Sequence, residues 1–443
     1  MGRHAKNTGP NYALRRSVAA VGVVAVAAGG LALSMNAFGG EPTAGPGDGP
    51  TEVPPSPETS PIPSPEPVPE PTPEPTPEPE PDPVVFTLVM AGDVLPHATV
   101  NRNASQGDGT YDYAPMMEHV RPWIENADIA LCSLEVPLAP PGTEVSAYPV
   151  FGAPEELISS LLEVGWQGCA TATNHSLDRR VAGLEYTLQI MDEMGMGHTG
   201  TGRTPEETVS PQFYEVEKDG VELTIAHLSA TTFHNDYTDP AQYADSLHAL
   251  EAGRIDQLAK QAKADGADIV VFTPHWGQEY WKSPDGLQED ISTTLARGGN
   301  VDVVLGGHPH VPQAIELLDG GPDGEGMYVA YSMGNFLSNQ DEKCCNIATA
   351  TGLLVRTEIT VEPGGGARVS GISWSGATVD TEGRQELFPI QALVDGQVWE
   401  SNTLAPSRVQ ARYEDLLAQM GTELYDPAPL EPTSAVVRVV PRG

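Results

Sequence analysis

Basic residues are scarce. The 443-residue chain has 23 lysines and arginines against 61 aspartates and glutamates, a formal net charge of −38. A surface this acidic repels polyphosphate backbones, which argues against nucleic acid as a partner. Cysteine is scarce too: four thiols are too few for a disulfide scaffold. Cys344 and Cys345 are adjacent, and neighbours rarely pair with each other. Cys132 and Cys169 lie in apolar, strand-like runs, where a buried free thiol is the plain reading; a bridge between them requires their strands to be neighbours. No function falls on any cysteine.

Acids are missing from residues 1–40, which carry four bases. Within that segment Arg15-Arg16 precede SVAAVGVVAVAAGGLALSM, 19 residues from Ser17 to Met35 without a charge. That length crosses a bilayer, and the flanking arginines keep the N-terminus cytoplasmic. The expectation is a single-pass anchor in the cell membrane with the remainder outside. A cleaved signal peptide, giving a secreted protein, is the alternative. Bases are missing in turn from residues 41–84, where ten acids and 18 prolines fall within 44 positions. This Pro/Glu-rich tract buries almost nothing and reads as a polyproline II stalk. At ~3.1 Å per residue it reaches on the order of 100 Å or more. Removing these ten acids and four bases leaves 51 acids and 19 bases in residues 85–443, a charge of −32.

From residue 85 the pattern is that of a folded domain, assigned to 85–380, with 381–443 as a C-terminal extension. VVFTLVMAG, ADIALCSLE (127–135), QGCATAT (167–173), VELTIAHLSA (221–230), GADIVVFTPHW (266–276) and VDVVLGG (301–307) read as strands. Helices are expected near 111–125, 154–164, 178–194, 243–265, 284–298 and 406–420. Strand–helix alternation indicates an α/β domain. The later strands in MYVAYSMGNF, TGLLVRTEITVE and ARVSGISWSGATVD point to a second sheet or an added edge. Apart from the Pro-Glu tract there is no internal repeat.

In open α/β sheets, ligands collect at the carboxyl ends of strands. Here the residues following successive strands are Asp93, Glu135, Asn174-His175, His275, and His308 with His310 in GGHPHVPQ. Singly, each has a plain explanation: a turn, a helix cap, a solvated acid or a structural histidine. Together, five strand exits offer carboxylate, amide and imidazole to one sheet edge. That mixture suits one or two divalent ions of the Mn, Zn or Fe type better than Mg or Ca. Two ions about 4 Å apart share a bridging carboxylate. A histidine outside the ligand set then protonates a leaving atom or stabilises developing charge.

AGDVLPH, CSLEVPL, TATNHSLD, PHWGQEY, GGHPHVPQAIE and YSMGNFLS, in that order over 91–338, resemble the signature blocks of the CapA family of capsule-synthesis proteins. The resemblance implies a metallophosphatase-like layered β-sandwich flanked by helices, similar to calcineurin-like phosphoesterases, and a role in poly-γ-glutamate capsule synthesis. It also implies Asp93 as an early metal ligand and Glu135 as the bridging carboxylate. Asn174, His275 and His308 would hold one ion, and His310 the other. His175 would be the catalytic histidine, oriented by Asp178. The implied partners are an extracellular anionic polymer or phosphoester substrate and membrane polymer-synthase subunits. Some positions depart from the pattern. Leu95 stands where phosphoesterases carry histidine, Glu135 where they carry aspartate, Thr173 where relatives often have asparagine, and Gly307 where they often have histidine. One ion site is therefore a ligand short unless His97 or water fills it. A non-catalytic subunit of a polymer-export complex and a general secreted metallophosphoesterase are the competing functions.

Overall fold

The structure is a computed structural model that describes residues 81–235 and 245–442. The expected anchor lies outside these residues, as does the stalk apart from its last four positions. No helix of the described residues is long and apolar enough to cross a membrane.

Fourteen strands are described: β1 (Val84–Val94), β2 (Ile129–Leu134), β3 (Gly168–Ala170), β4 (Gly197–Thr199), β5 (Gln212–Lys218), β6 (Val221–Thr231), β7 (Ile269–His275), β8 (Val303–Leu305), β9 (Ile315–Leu318), β10 (Met327–Ala330), β11 (Thr351–Val361), β12 (Ala367–Val379), β13 (Leu387–Pro389) and β14 (Val436–Val439). They form two seven-stranded sheets, ordered β13-β12-β11-β1-β2-β3-β4 and β14-β5-β6-β7-β8-β10-β9. In the first sheet β1 through β4 run parallel, and in the second β6, β7, β8 and β10 do. The result is the expected layered sandwich with helices outside.

The apolar runs are continuous because both faces of each sheet are covered. In β1, Phe86, Leu88 and Met90 point between the sheets, where they meet Ile225, Val271 and Leu305. The alternate residues Val89 and Ala91 face outward into a core built with the helix Glu156–Val164. Behind the second sheet, Ile255 and Leu295 from the helices Ala252–Ala264 and Gly286–Gly298 pack on Val270 and Val304. Truncating a residue such as Leu88 to alanine would cost about 2–5 kcal/mol.

Several expectations shift in detail. The helix expected over 111–125 is broken into Ala114–Met117, a 3-10 turn at Glu118–Val120 and Arg121–Glu125, because Pro115 and Pro122 each sit in the first turn of a new segment. The helix expected over 243–265 begins at Ala252, capped by the Glu251 carboxylate, which accepts from the Gly253 and Arg254 amides. Residues 248–250 are extended instead: the Thr231 N–H donates to His248 O, and the Leu250 and His248 amides donate to Thr231 O and Gly200 O. Residues 381–442 are integrated into the sandwich, placing β13 on the edge of one sheet and β14 on the edge of the other. Between them lies the helix Pro406–Met420, as expected, with Val409 and Leu416 in the inter-sheet core. Cys132 and Cys169 face each other directly across β2 and β3 and form a disulfide, so the free-thiol reading is corrected by strand adjacency. Cys344 and Cys345 are also joined.

Candidate metal centre

Local sequence explains how each side chain arrives. β1 ends at Gly92-Asp93-Val94, and a Cβ at Gly92 would run into the Gly334 carbonyl oxygen. Only glycine lets the strand pass that close. The Asp93 backbone is held there by two hydrogen bonds of 2.9 Å, its N–H donating to Gly334 O and its carbonyl accepting from Phe336 N–H. Glu135 follows β2 directly, and its carbonyl accepts from Thr173 Oγ1 at 2.7 Å. Asn174 and His175 lie in the turn after β3, His275 ends β7, and His308 and His310 follow β8. All these strands belong to the parallel parts of the sheets, so their carboxyl ends open on one side. The expectation of a single sheet edge is corrected: three exits come from the first sheet and two from the second, since the sheets face each other.

The six residues expected as ligands are brought together. Asp93, Glu135, Asn174, His275, His308 and His310 are each no more than 5% exposed. One group comprises Asp93, Glu135 and His310, whose ligand atoms lie within 4.8 Å of one another. Here Asp93 Oδ1 accepts from Ser133 Oγ at 3.0 Å, and its Oδ2 accepts from the His308 N–H at 3.1 Å. His310 Nδ1 is 3.4 Å from Asp93 Oδ2, and its Nε2 is 3.7 Å from Glu135 Oε1. The second group comprises Asn174, His275 and His308. Asn174 Oδ1 lies 2.9 Å from His275 Nε2, which is 3.2 Å from His308 Nδ1. Glu135 stands between the groups, its Oε1 3.8 Å from His275 Nε2.

Neither oxygen of Glu135 has a hydrogen-bond partner. A buried carboxylate without donors costs several kcal/mol unless something cationic or a proton neutralises it. Burial pushes the Glu135 carboxyl well above its usual range, and neighbouring Asp93 adds to that. For Asp93, burial also acts upward, but the hydrogen bond and charge of His310 outweigh it and the net shift is downward. Burial opposes a charged His310, yet Glu135 and Asp93 raise its pKa to about 9. Burial holds His275 down at about 3 and His308 well below the usual range. Those two are therefore neutral lone-pair donors. A buried carboxylate without donors, Glu135, beside a second carboxylate and convergent neutral imidazoles is what a divalent cation requires, so the residues fit such an ion. Asp93, Glu135 and His310 could hold one.

His175 and Asp178 form a separate pair at the edge. Asp178 Oδ2 is 2.7 Å from His175 Nδ1 and also accepts from the Phe151 N–H at 2.6 Å. Aromatic rings pack against the imidazoles: Phe151 edge-on to His175 at 4.8 Å, Phe233 against His308 at 4.8 Å and Tyr280 near His310 at 6.1 Å. The backbone of the histidine loop is left-handed at both His308 (φ 94°) and His310 (φ 60°), as it is at Tyr280 (φ 67°). Such conformations cost non-glycine residues about 1–3 kcal/mol each and concentrate at functional sites. The Tyr280 N–H, donating to Pro309 O at 2.8 Å, ties the two loops together.

Leu95 is 2% exposed and packs in the core. His97 does not join the Asp93–Glu135–His310 group; its Nδ1 bonds Leu95 O at 2.8 Å and its ring lies edge-on to Phe151. Burial and the charge of His310 lower its pKa to about 4. Two contributors were absent from the sequence expectations. Ser133 lies inside β2 and holds Asp93, and Asn335 lies beyond β10 with its Oδ1 3.0 Å from His310 Nδ1.

The family model described as bacterial capsule synthesis protein PGA_cap matches residues 87–340, more than half of the chain. The chain belongs to that family. Among its curated relatives, the chain is 26% identical over 261 residues to "Capsule biosynthesis protein CapA" of Bacillus anthracis, covering 57% of this chain and 60% of that protein. It is 27% identical over 186 residues to "PGA biosynthesis protein CapA" of Bacillus subtilis strain 168, covering 42% and 46%. The chain thus matches less than two thirds of either relative's length. Solved structures similar to it include calcineurin-like phosphoesterase YfkN from Bacillus subtilis, at TM-score 0.40 and 12% identity, covering 76% of this chain and 98% of that one. Another is a 5'-nucleotidase precursor from Thermus thermophilus, at TM-score 0.41 and 15% identity, covering 76% and 59%. Similarity at that level transfers no residue role to this chain.

Proposed function

We propose that the chain acts in the synthesis, export or attachment of an extracellular capsule polymer, with poly-γ-glutamate the polymer its relatives' names favour. In this reading it is a membrane-tethered hydrolase or transferase that depends on a divalent metal. The observation that carries the enzymatic part is Glu135, a fully buried carboxylate with no donor, set between Asp93 and the imidazoles of His275 and His310. A divalent ion there supplies Lewis acidity toward a phosphoryl or amide oxygen and lowers the pKa of a bound water.

The chain's own groups do the rest. Asp93 and Glu135 supply the negative charge that retains the ion, Asn174, His275 and His308 supply neutral lone pairs, and His310 supplies one once it gives up to the ion the proton that Glu135 and Asp93 hold on it. Asp178 fixes His175 through Nδ1, leaving Nε2 to hold or release a proton at the leaving atom. Phe151 and Phe233 keep the imidazoles dry and their orientations narrow. The −32 charge of residues 85–443 opposes contact with polyglutamate; a cation in the cleft, or high salt, offsets that repulsion locally.

The test has two parts. Full-length protein reconstituted with Mn, Zn or Fe should retain a divalent ion after dialysis; retention of none would overturn the metal-centre reading. In cells, His175→Ala should abolish polymer production while protein level and metal content stay normal. Unchanged production would favour the second reading, a non-catalytic subunit of a polymer-export complex, to which buried Leu95 in place of a ligand lends support. Tethering is tested by N-terminal sequencing of the mature protein, where a start near residue 38 would show cleavage and secretion.

A further inference from the structure

Asn335 belongs to none of the five strand exits, yet it is 3% exposed and touches two members of the Asp93–Glu135–His310 group. Its backbone forms a bridge with Asp93, and its side-chain Oδ1 lies 3.0 Å from His310 Nδ1. The orientation of that amide follows from its other contacts. Asn335 Nδ2 donates to Gln340 Oε1 and to the backbone carbonyl of Thr349, both at 3.0 Å. Two hydrogens meet two acceptors, and one acceptor is a main-chain oxygen that cannot be reassigned. Turning the amide over would set its oxygen against both. The Oδ1 atom therefore faces His310.

An amide oxygen only accepts, so the hydrogen between the two groups sits on His310 Nδ1. Asp93 Oδ2, 3.4 Å from the same nitrogen, is also an acceptor and agrees with that assignment. The other ring nitrogen, Nε2, lies 3.7 Å from Glu135 Oε1, whose carboxylate lacks partners. A histidine ligand commonly donates its second N–H to an oxygen in this way, which fixes the ring and directs its lone pair at the ion. We propose that Asn335 is a positioning residue that holds His310 with Nδ1 protonated and Nε2 presented to a divalent ion beside Asp93 and Glu135. The proposal rests on the metal-centre reading above and adds which atom binds and what orients it. Gln340 and Thr349 act through Asn335 by keeping its amide from turning.

The experiment uses zinc with the full-length protein. In the ¹⁵N-labelled, zinc-loaded wild type, the His310 side-chain signals, assigned by their loss in His310→Gln, should show Nε2 coordinated and Nδ1 carrying a hydrogen. Asn335→Leu keeps the approximate size but has no acceptor; its zinc affinity should fall by about 10- to 100-fold, and the His310 Nδ1–H signal should broaden through exchange. Gln340→Ala removes one of the two acceptors and should weaken zinc only a few-fold. Zinc bound through Nδ1 in the wild type would overturn the proposal even if Asn335→Leu does not fold, as would unchanged affinity in a folded Asn335→Leu. A wild type that binds no zinc is a separate result, which overturns the metal centre itself and the proposal with it.

Discussion

The first sheet ends in candidate oxygen ligands, Asp93, Glu135 and the Asn174 amide, whereas the second ends in imidazoles, His275, His308 and His310. The two sets are also unlike in charge. Burial makes a charge on Glu135 costly, with an upward shift as the sign of it, while the same burial keeps His275 and His308 neutral. Each sheet alone would be a poor site: one has carboxylates without imidazoles, the other has imidazoles without carboxylates. The contacts that organise the centre run between the sheets, from the His308 N–H to Asp93 and from His310 Nε2 toward Glu135. An ion bound there would act as a rivet across the sandwich.

That division can be tested by removing one side at a time. The largest effect should come from Asp93→Ala or Glu135→Ala, and equally from His308→Ala combined with His310→Ala. Removing one partner of a buried charged set costs about 3–5 kcal/mol, or more than about 100-fold in affinity at roughly 1.4 kcal/mol per decade. Metal content after dialysis and calorimetric titration would read it. Loss of the ion from the carboxylate variants alone would break the two-sided picture. Next in size is the rivet itself. With free metal at about 100 times Kd, binding should add about 2.7 kcal/mol to stability, and a chelator should lower the thermal midpoint accordingly. Double variants lacking ligands from both sheets should show no chelator effect.

Smaller still is Gly92→Ala, which pushes β1 away from Gly334 and should cost about 1–3 kcal/mol, read as a lower unfolding midpoint with or without metal. The smallest effect is on pH. Glu135 titrates above its ordinary 4.5 in the metal-free fold. Its contribution to metal-free stability is thus fully present below about 4.5 and lost as pH rises through the folded value. The ion competes with that proton and with the one on His310, whose pKa is raised to about 9, so affinity should rise with pH from 4.5 upward, by at most about tenfold per pH unit for each proton released. Titrations in buffers from acid to neutral would measure the slope, and Glu135→Gln should lessen it by the share of one proton.

Much of the site was legible because its residues obey a positional rule. Strands buried on both faces appear as unbroken apolar runs, and the residues just past each run fall at the open end of a sheet. That logic finds Asp93, Glu135, Asn174, His275, His308 and His310 without knowing which strands pair. It does not divide them between two sheets, because pairing is a long-range property. Asn335 was missed because MYVAYSMGNF reads as one strand running through it, whereas β10 ends at Ala330, five residues earlier. Ser133 was hidden inside a strand. The edge strands β13 and β14 have three and four residues, too few to show a period. The helix start at Ala252 was displaced because His248 and Leu250 find tertiary partners in the Thr231 and Gly200 segments, which no local propensity records. The neighbouring of Cys132 and Cys169, left open by the sequence, likewise had to wait for the register of β2 and β3.

The hydrogen bond from the His308 amide to Asp93 joins residues 215 positions apart. Asp93 comes early in the folded region and Asn335 late, with every ligand between them. A chain still being made, or cut anywhere before the histidine loop, has separate ligands but no centre. If the proposed centre binds a metal, uptake would be a record of completed folding, and a truncated product would be left without a centre rather than with a weakened one.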